Sequence, residues 1–355
     1  MGELFEIKGN PQLNKDSFTF SENGKYPYFT RTVFNNGIAG YVDYLNEENK
    51  IAGNCLAVGM IGMQFFYMEN DFYAGQFTKR AIPKSFLLTQ RIAHYFISLL
   101  NKNQLVYQNV LVRDFERVFN KTKIQLPIKH GEIDFVFMEG FIAELEAQRI
   151  AELEAYLSAT GLKNFELTLE EERVLESFNH GELVFADFTF STVFNRIVQG
   201  RRLKKDDQVS GNIPFVMAGI TNTGVVNYIS NPVSSFPQNS ITIDIFGNTF
   251  YRNYSFGAGD DTGVYWHDKR IYSKETMLFF TAAMSKSLYG KFSFGNKLRS
   301  SQSLNFNMSL PAKDHEPDVA LMQTFISAVQ KLVIKDVVHY ADQKIAATNQ
   351  VVQRH

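Results

Sequence analysis

The sequence predicts an α+β fold: two tandem domains of mixed α/β structure, related by a pseudo-two-fold axis and separated by two long helices packed as an antiparallel pair. Three observations carry this prediction. Half of the chain repeats in the other half, the apolar periodicity differs between the lobes and the segments joining them, and charge alternates in step with the repeat. The period of the repeat sets the architecture.

FNNGIAGYV at 34–42 returns as TNTGVVNYI at 221–229. Gly24, Pro27, Asn35, Gly37 and Tyr41 match Gly211, Pro214, Asn222, Gly224 and Tyr228 at an offset of 187. Upstream, Leu13, Lys15 and Asp16 match Leu203, Lys205 and Asp206 at 190; downstream, Asn54, Gly62 and Phe65 match Asn239, Gly247 and Phe250 at 185. QLPIKHGEIDFVFMEGFI (125–142) then aligns with SLPAKDHEPDVALMQTFI (309–326) at 184. Small drifts between ordered blocks are what loop insertions leave behind, and a repeat of this length is a domain, too long for a solenoid unit. With 355 residues and 45% apolar content the chain can build two cores.

Periodicity separates lobes from connectors. GNIPFVMAGITNTGVVNYISNP and NSITIDIFGNTFYRNYSFGAG alternate Val, Ile, Phe and Tyr runs with Gly, Asn and Pro clusters, which predicts strands and turns; helical patches are expected at 85–100 and 273–288. The connectors differ. Residues 134–157 hold no proline and place Met138, Ile142, Leu145, Ile150, Leu153 and Leu157 on an apolar stripe. Residues 318–348 repeat the device with Met322, Phe325, Val329, Leu332, Val333, Val337 and Tyr340, and Pro127 and Pro311 punctuate the chain before each. The expected division is a first domain at 1–128, a first spacer helix at 129–158, a second domain at 159–312 and a second spacer helix at 313–355. One bundle helix per domain is the plainer reading; the equivalence of the two segments favours a pair packed on each other.

Charge follows the same division. Residues 1–129 sum to +4, 130–182 to −10, 183–317 to +4 and 318–355 to +1, so a net charge of −1 conceals two basic lobes around an acidic segment. No run reaches the length of a membrane span and the N-terminus MGELFEIKGN lacks the pattern of a signal peptide, so a cytoplasmic protein is expected. The single cysteine, Cys55, cannot form a disulfide framework or a cysteine zinc site and is expected in a core.

Two aromatic-rich lobes, each followed by a long helix, with GKYPYFTRTVFNNGIAGYV in the first and GNIPFVMAGITNTGVVNYI in the second, resemble the specificity subunits of type I and type IIB restriction-modification systems. The resemblance spans essentially the whole chain. It implies that the lobes are target recognition domains held apart by two helices, each reading one half of a split double-stranded DNA site. It also implies partners: methyltransferase (modification) subunits, with a restriction subunit in addition or fused to them, and no membrane.

No catalytic or cofactor signature accompanies this pattern. GAGDDTG at 257–263 lacks the third glycine of a dinucleotide site and the Gly-Lys-Ser/Thr of a phosphate loop, so it predicts a turn. NPVS at 231–234 departs from the Asn-Pro-Pro-aromatic motif of amino-methyltransferases at its last two positions and reads as a loop. Asp260 and Asp261 are expected in a solvated turn, and the histidines at 94, 130, 180, 267, 315, 339 and 355 have no metal-ligand spacing. The expected protein is non-catalytic, without cofactor or metal.

DNA binding requires Lys and Arg against phosphates and Arg, Lys, Asn, Gln, Ser or Thr at base edges. In the first lobe the candidates are Lys25, Tyr28, Arg31, Thr32, Asn35 and Asn36 around the repeated turn, then Lys79, Arg80 and Lys84. In the second they are Arg201, Arg202, Lys204 and Lys205, the densest cluster, then Asn222, Thr223, Lys269, Arg270, Lys286, Lys291, Lys297 and Arg299. Against this stand the solvated lysine and the Asn-Asn-Gly run as a plain tight turn with positive φ. The lobes share a scaffold and differ where bases would be read, FTRTVFNN against VMAGITNT, which predicts an asymmetric bipartite target. A structural or adhesive carbohydrate-binding protein with a duplicated strand-rich domain is the alternative; it predicts neither helical spacers nor basic lobes. An isolated DNA methyltransferase ranks third for want of motifs.

Overall fold

The structure, a computed structural model, describes residues 1–352 other than Leu111 and Ser234, with side chains described as far as Ala346. The chain divides into two compact units, Met1–Leu153 and Glu154–His355.

In the first unit, β1 (Phe5–Gly9), β2 (Tyr26–Phe29), β3 (Ile38–Val42), β4 (Cys55–Gly59), β5 (Phe65–Met68), β6 (Tyr73–Ala74) and β7 (Thr78–Pro83) form two sheets. Their orders are β1-β7-β4-β5 and β3-β2-β6. β4 is buried along its whole length, as an apolar run CLAVG between two covered faces should be. Helices α1 (Gln90–Asn101), α2 (Gln104–Gln108) and α3 (Phe115–Lys121) follow, then the short hairpin β8 (Ile128–Lys129) and β9 (Glu132–Ile133), then α4 (Phe135–Ala159). Thr89 caps α1 by accepting from the Ile92 N–H, so the helix begins five residues later than the apolar pattern from 85 suggests. The core gathers Phe5, Leu56, Phe65, Phe96, Tyr107, Phe115 and Met138.

The second unit begins within α4, at Glu154, and continues with α5 (Leu169–Asn179), β10 (Phe185–Thr189), the single turn α6 (Phe190–Val193) and β11 (Arg196–Gln199). There follow β12 (Ser210–Val216), β13 (Val225–Ile229), β14 (Ser235–Phe236), β15 (Ser240–Asp244), β16 (Thr249–Arg252), β17 (Phe256–Ala258) and β18 (Thr262–Trp266). The chain ends with α7 (Lys274–Leu288), β19 (Asn307–Lys313), β20 (Glu316–Pro317) and α8 (Val319–Val352). Its sheets are ordered β11-β18-β15-β16, β13-β12-β17-β14 and β10-β19-β20. The four-stranded order β1-β7-β4-β5 repeats, and the second sheet repeats with one parallel pair in each unit, β2 with β6 and β12 with β17; β14 is an added strand whose place in the first unit is taken by the single bridge Ile51 to Phe72. The duplication therefore extends from residues to topology.

Register refines the alignment. Cys55 faces Met68 and Val58 faces Phe65 across β4 and β5, while Ser240 faces Arg252 and Ile243 faces Thr249 across β15 and β16. Phe65 is thus equivalent to Thr249, and Met68 to Arg252, at an offset of 184; the sequence match of Phe65 with Phe250 is one residue out. The cause is the connection after β4, which is one residue shorter in the second unit.

The helix starts repeat as well. Asp134 Oδ1 accepts from the Phe137 N–H at 2.8 Å and Asp318 Oδ1 from the Leu321 N–H at 3.0 Å, satisfying first-turn donors of α4 and α8. Each aspartate N–H also donates to the proline carbonyl ahead of it, Pro127 or Pro311. Met138 and Met322 sink into their respective cores. Of the expected stripe on α8 Met322 is buried and Phe325 and Val329 are half-buried, whereas Leu332, Val333 and Tyr340 are at least half exposed; the other buried residues of α8 are Ala328, Val338 and Ala341. A polar dock explains part of this. α5, which apolar patterning did not mark, packs on α8 through Glu171, whose carboxylate accepts from Lys331 Nζ and Ser327 Oγ, both at 2.7 Å.

Cys55 is buried, and burial pushes its thiol up to about 12. The segment Gly259–Asp261 turns between β17 and β18 as expected. Of NPVS, Asn231 holds the Val209 N–H through Oδ1, while Ser234 and, in the second spacer, His355 lie outside the described residues. Among the described residues no helix is long and apolar enough to cross a membrane, and no group of His, Cys, Asp or Glu could hold a metal.

Candidate nucleic-acid interface

The repeated block folds into the same turn twice. Asn35 and Asn36 adopt φ/ψ of 47/46° and 53/31°, and Asn222 and Thr223 adopt 47/38° and 51/28°. Gly37 at φ 79° and Gly224 at φ 84° complete each turn. Glycine is required at both: a Cβ on Gly37 would stand 2.2 Å from Phe29 Cε2, and one on Gly224 2.7 Å from the Met217 carbonyl oxygen. Each turn is closed by a backbone bond, Thr30 N–H to Gly37 O at 2.8 Å and Met217 N–H to Gly224 O at 2.9 Å. Each is also braced by its asparagine, Asn35 Nδ2 donating to Ile38 O and Asn222 Nδ2 to Val225 O. The plain-turn reading thus accounts for the amide groups of Asn35 and Asn222. What the turns display is different: Phe34 is 79% exposed in the first and Ile220 72% in the second.

The segments leading into the turns are supported by unlike chemistry. In the first unit the Arg31 guanidinium lies 5.6 Å over the exposed Phe77 ring, and its backbone sits so close to Gly59 that a Cβ there would stand 2.6 Å from Arg31 Cα. At the equivalent places the second unit has Ala218, Asp261 and Asp244. Asp261 Oδ2 accepts from the Ala218 N–H and Asp244 Oδ2 from the Gly219 N–H, each at 3.0 Å. Asp261 is therefore a brace for this segment and not only a solvated turn residue. Beneath the second turn, Arg252 is 1% exposed and donates to Thr223 Oγ1 at 3.1 Å and to the Thr223 carbonyl at 2.5 Å. Burial lowers its pKa, while the Tyr254 hydroxyl beside it works the other way.

The other candidates fall into three groups. Arg201, Arg202, Lys204 and Lys205 are exposed, and none forms an ion pair among the described residues. The Arg201 N–H anchors this segment to Ala258 O. Lys25, Asn36, Lys269 and Arg270 are also exposed, the last two beside His267, whose Nδ1 accepts both backbone N–H groups. A second group is engaged with the protein itself. Arg80 Nη1 donates to Asn10 Oδ1, Lys84 Nζ to Gly2 O and Arg299 Nη1 to Asp260 O, Lys297 lies over Phe294, Thr32 Oγ1 accepts from the Phe34 N–H, and Lys79 is half-buried on β7.

The third group departs from the expected surface. Tyr28 is 3% exposed and its hydroxyl donates to Leu13 O, so it has no face to offer a base. It packs with Phe18 and Phe20, and because both faces of β2 are covered at this end its neighbour Phe29 is buried too. Lys286 and Lys291 are exposed and line a cleft of ≈ 770 Å³ with Phe178, Phe185, Phe279 and Phe325. The turn borders its own cleft of ≈ 380 Å³ against Phe246, Asn248 and Tyr289. Sequence reasoning missed Phe77, Asp244 and Arg252; the exchange of Met68 for Arg252 between repeats was the available signal, hidden by the one-residue register error.

The type I restriction modification DNA specificity domain model matches residues 1–155 and again residues 185–340. A specificity subunit named for the type II restriction enzyme BgcI, S.BcgI of Heyndrickxia coagulans, is 25% identical over 352 residues, covering 94% of each chain. The crystal structure of a type I restriction-modification system S subunit from M. genitalium superposes with a TM-score of 0.57 at 15% identity, over 99% of this chain and 92% of that one.

Proposed function

The chain belongs to the type I restriction modification DNA specificity domain family, as a specificity subunit of a restriction-modification system with two tandem recognition domains, and on that premise we propose that it reads an asymmetric bipartite DNA target, one half per unit. The observation that carries this reading is the pair of turns with one backbone geometry and different side chains at matching positions: Arg31, Val33 and Phe34 in one unit stand where Ala218, Ile220 and Thr221 stand in the other. Affinity comes from the basic lobes, led by Arg201, Arg202, Lys204 and Lys205, and selectivity from the segments around the turns.

The same proposal makes the subunit non-catalytic and cytoplasmic, acting through methyltransferase subunits and a separate or fused restriction subunit. The two long helices serve as paired spacer and dock. Their exposed apolar residues support the docking role: Val136, Phe137 and Phe141 on α4, and Leu332, Val333 and Tyr340 on α8.

Selection of bound duplexes from a randomised pool, with the partner methyltransferase present, tests the reading. Two short specified blocks around an unspecified gap are expected, and replacing residues 1–128 with the corresponding domain of a relative changes one block only. A single contiguous site, or changes in both blocks, overturns it. Stoichiometric binding of S-adenosylmethionine by the isolated chain overturns the non-catalytic role.

A further inference from the structure

We propose that Arg252 is the positioning residue of the second reading turn: from beneath, it holds Thr223 in a left-handed conformation that Asn36 adopts unaided in the first unit. This rests on the reading of these turns as DNA-facing and names what holds one of them in shape.

The two turns have the same backbone but not the same tolerance for it. Asn36 and Thr223 are equivalent, with φ of 53° and 51°. Asparagine enters the left-handed region readily, whereas a β-branched residue there is an outlier that its surroundings must enforce. The enforcement is visible. Arg252 donates from Nη1 to Thr223 Oγ1 at 3.1 Å and from Nη2 to Thr223 O at 2.5 Å, so it grips side chain and main chain of one residue. Its remaining bonds lock the fork: Nε to Thr242 Oγ1 and Nη1 to Tyr254 Oη, both at 3.0 Å, with Phe250 and Phe256 rings 5.4 and 5.9 Å away.

In the first unit Met68 occupies this register position, paired with Cys55 as Arg252 is with Ser240. An apolar residue suffices there because Asn36 needs no support. A guanidinium is a costly substitute for methionine in a buried place unless its bonds are all used, and here every hydrogen-bond acceptor around it is neutral. It consequently leaves a positive charge directly under the turn, where a phosphate or an electronegative base edge would meet it. Planar geometry matters as much as charge: a lysine offers no fork to span Oγ1 and the carbonyl of Thr223.

The test uses the full-length chain and reads backbone amide exchange of residues 221–225 by mass spectrometry, with 34–38 as an internal reference. R252M, which imports the first unit's residue, is expected to speed exchange in 221–225 by about tenfold or more and leave 34–38 unchanged. Adding T223N is expected to restore slow exchange without the arginine. R252K, which keeps the charge and the fold, is expected to fall between. Unchanged exchange in R252M and R252K, or no rescue by T223N, overturns the proposal. The same variants are then put through duplex selection with the partner methyltransferase. R252M should blur one half of the target and sharpen nothing in the other. If exchange responds as expected but both halves stay as sharp as in the parent, Arg252 still positions the turn and it is the DNA-reading role of that turn which fails.

Discussion

Replacing Arg201, Arg202, Lys204 and Lys205 together by alanine should flatten the salt dependence of DNA binding without unfolding the chain. All four side chains are exposed and form no ion pair among the described residues, and the contact anchoring the segment, Arg201 N–H to Ala258 O, is main chain and survives the change. Such surface substitutions cost within about 0.5 kcal/mol each. Each phosphate neutralised contributes roughly 0.9 to the slope of log affinity against log salt, so four contacts are worth up to about 3.6. Over a fourfold rise in salt, from about 50 to 200 mM, that difference changes the parent-to-variant affinity ratio by about a hundredfold. Asp206 and Asp207 flank the cluster and reduce its local charge, which makes two or three contacts, a slope change of about 1.8 to 2.7, the expected outcome. Fluorescence anisotropy on a duplex carrying the selected target, across a salt series and with circular dichroism to confirm the fold, measures it. An unchanged slope in a folded variant would refute the argument and turn this face away from DNA.

Three other outcomes are expected. Gly37→Ala, with φ 79° and a Cβ forced to 2.2 Å from Phe29 Cε2, adds a clash to the backbone strain and should cost about 2–4 kcal/mol in a denaturant melt, whereas Gly131→Ala, at φ 85° with no atom within 4 Å, should cost about 1 kcal/mol; equal costs would remove the steric argument. Glu171 is buried, which works against its charge, but bonds from Lys331, the Thr168 N–H and Ser327 outweigh burial and hold its carboxyl down at about 2. A depressed carboxyl stabilises the fold above its unfolded value and loses that contribution as pH falls from about 4.5 toward 2, so Glu171→Gln should lower stability near neutrality by about 2 kcal/mol and give a flatter melting profile across that acid range. Finally, α4 has 25 residues, a rod of about 37 Å beside a DNA turn of about 34–36 Å. Four residues inserted after Glu146, which leaves its pair with Arg91 on the near side, add about 6 Å and about 40° of rotation. Selection should return the same half-sites with the gap longer by about one or two base pairs, and an unchanged gap in a folded, binding variant would deny α4 a role in spacing.

Local physics was legible in the residues alone. Asn and Gly at matching places tolerate positive φ, so both Asn-x-Gly blocks could be placed as turns and recognised as copies before any contact was known, although what holds Thr223 there could not. The helical apolar spacing after Pro127 also declares itself, and α4 begins one residue from where periodicity puts it; that Asp134 caps it is seen only in the structure. Tertiary structure decided what depends on partners far away along the chain. Tyr28 reads as an exposed aromatic until β2 and β6 pair and turn it inward beside Phe18. α5 is too charged to show a core-facing stripe, and its dock on α8 comes from Glu171 meeting Lys331 across 160 positions. Arg252 looks like one more surface cation in TFYR; only the register of β15 with β16 puts it beneath Thr223, because burial is a property of the pairing and not of the residue.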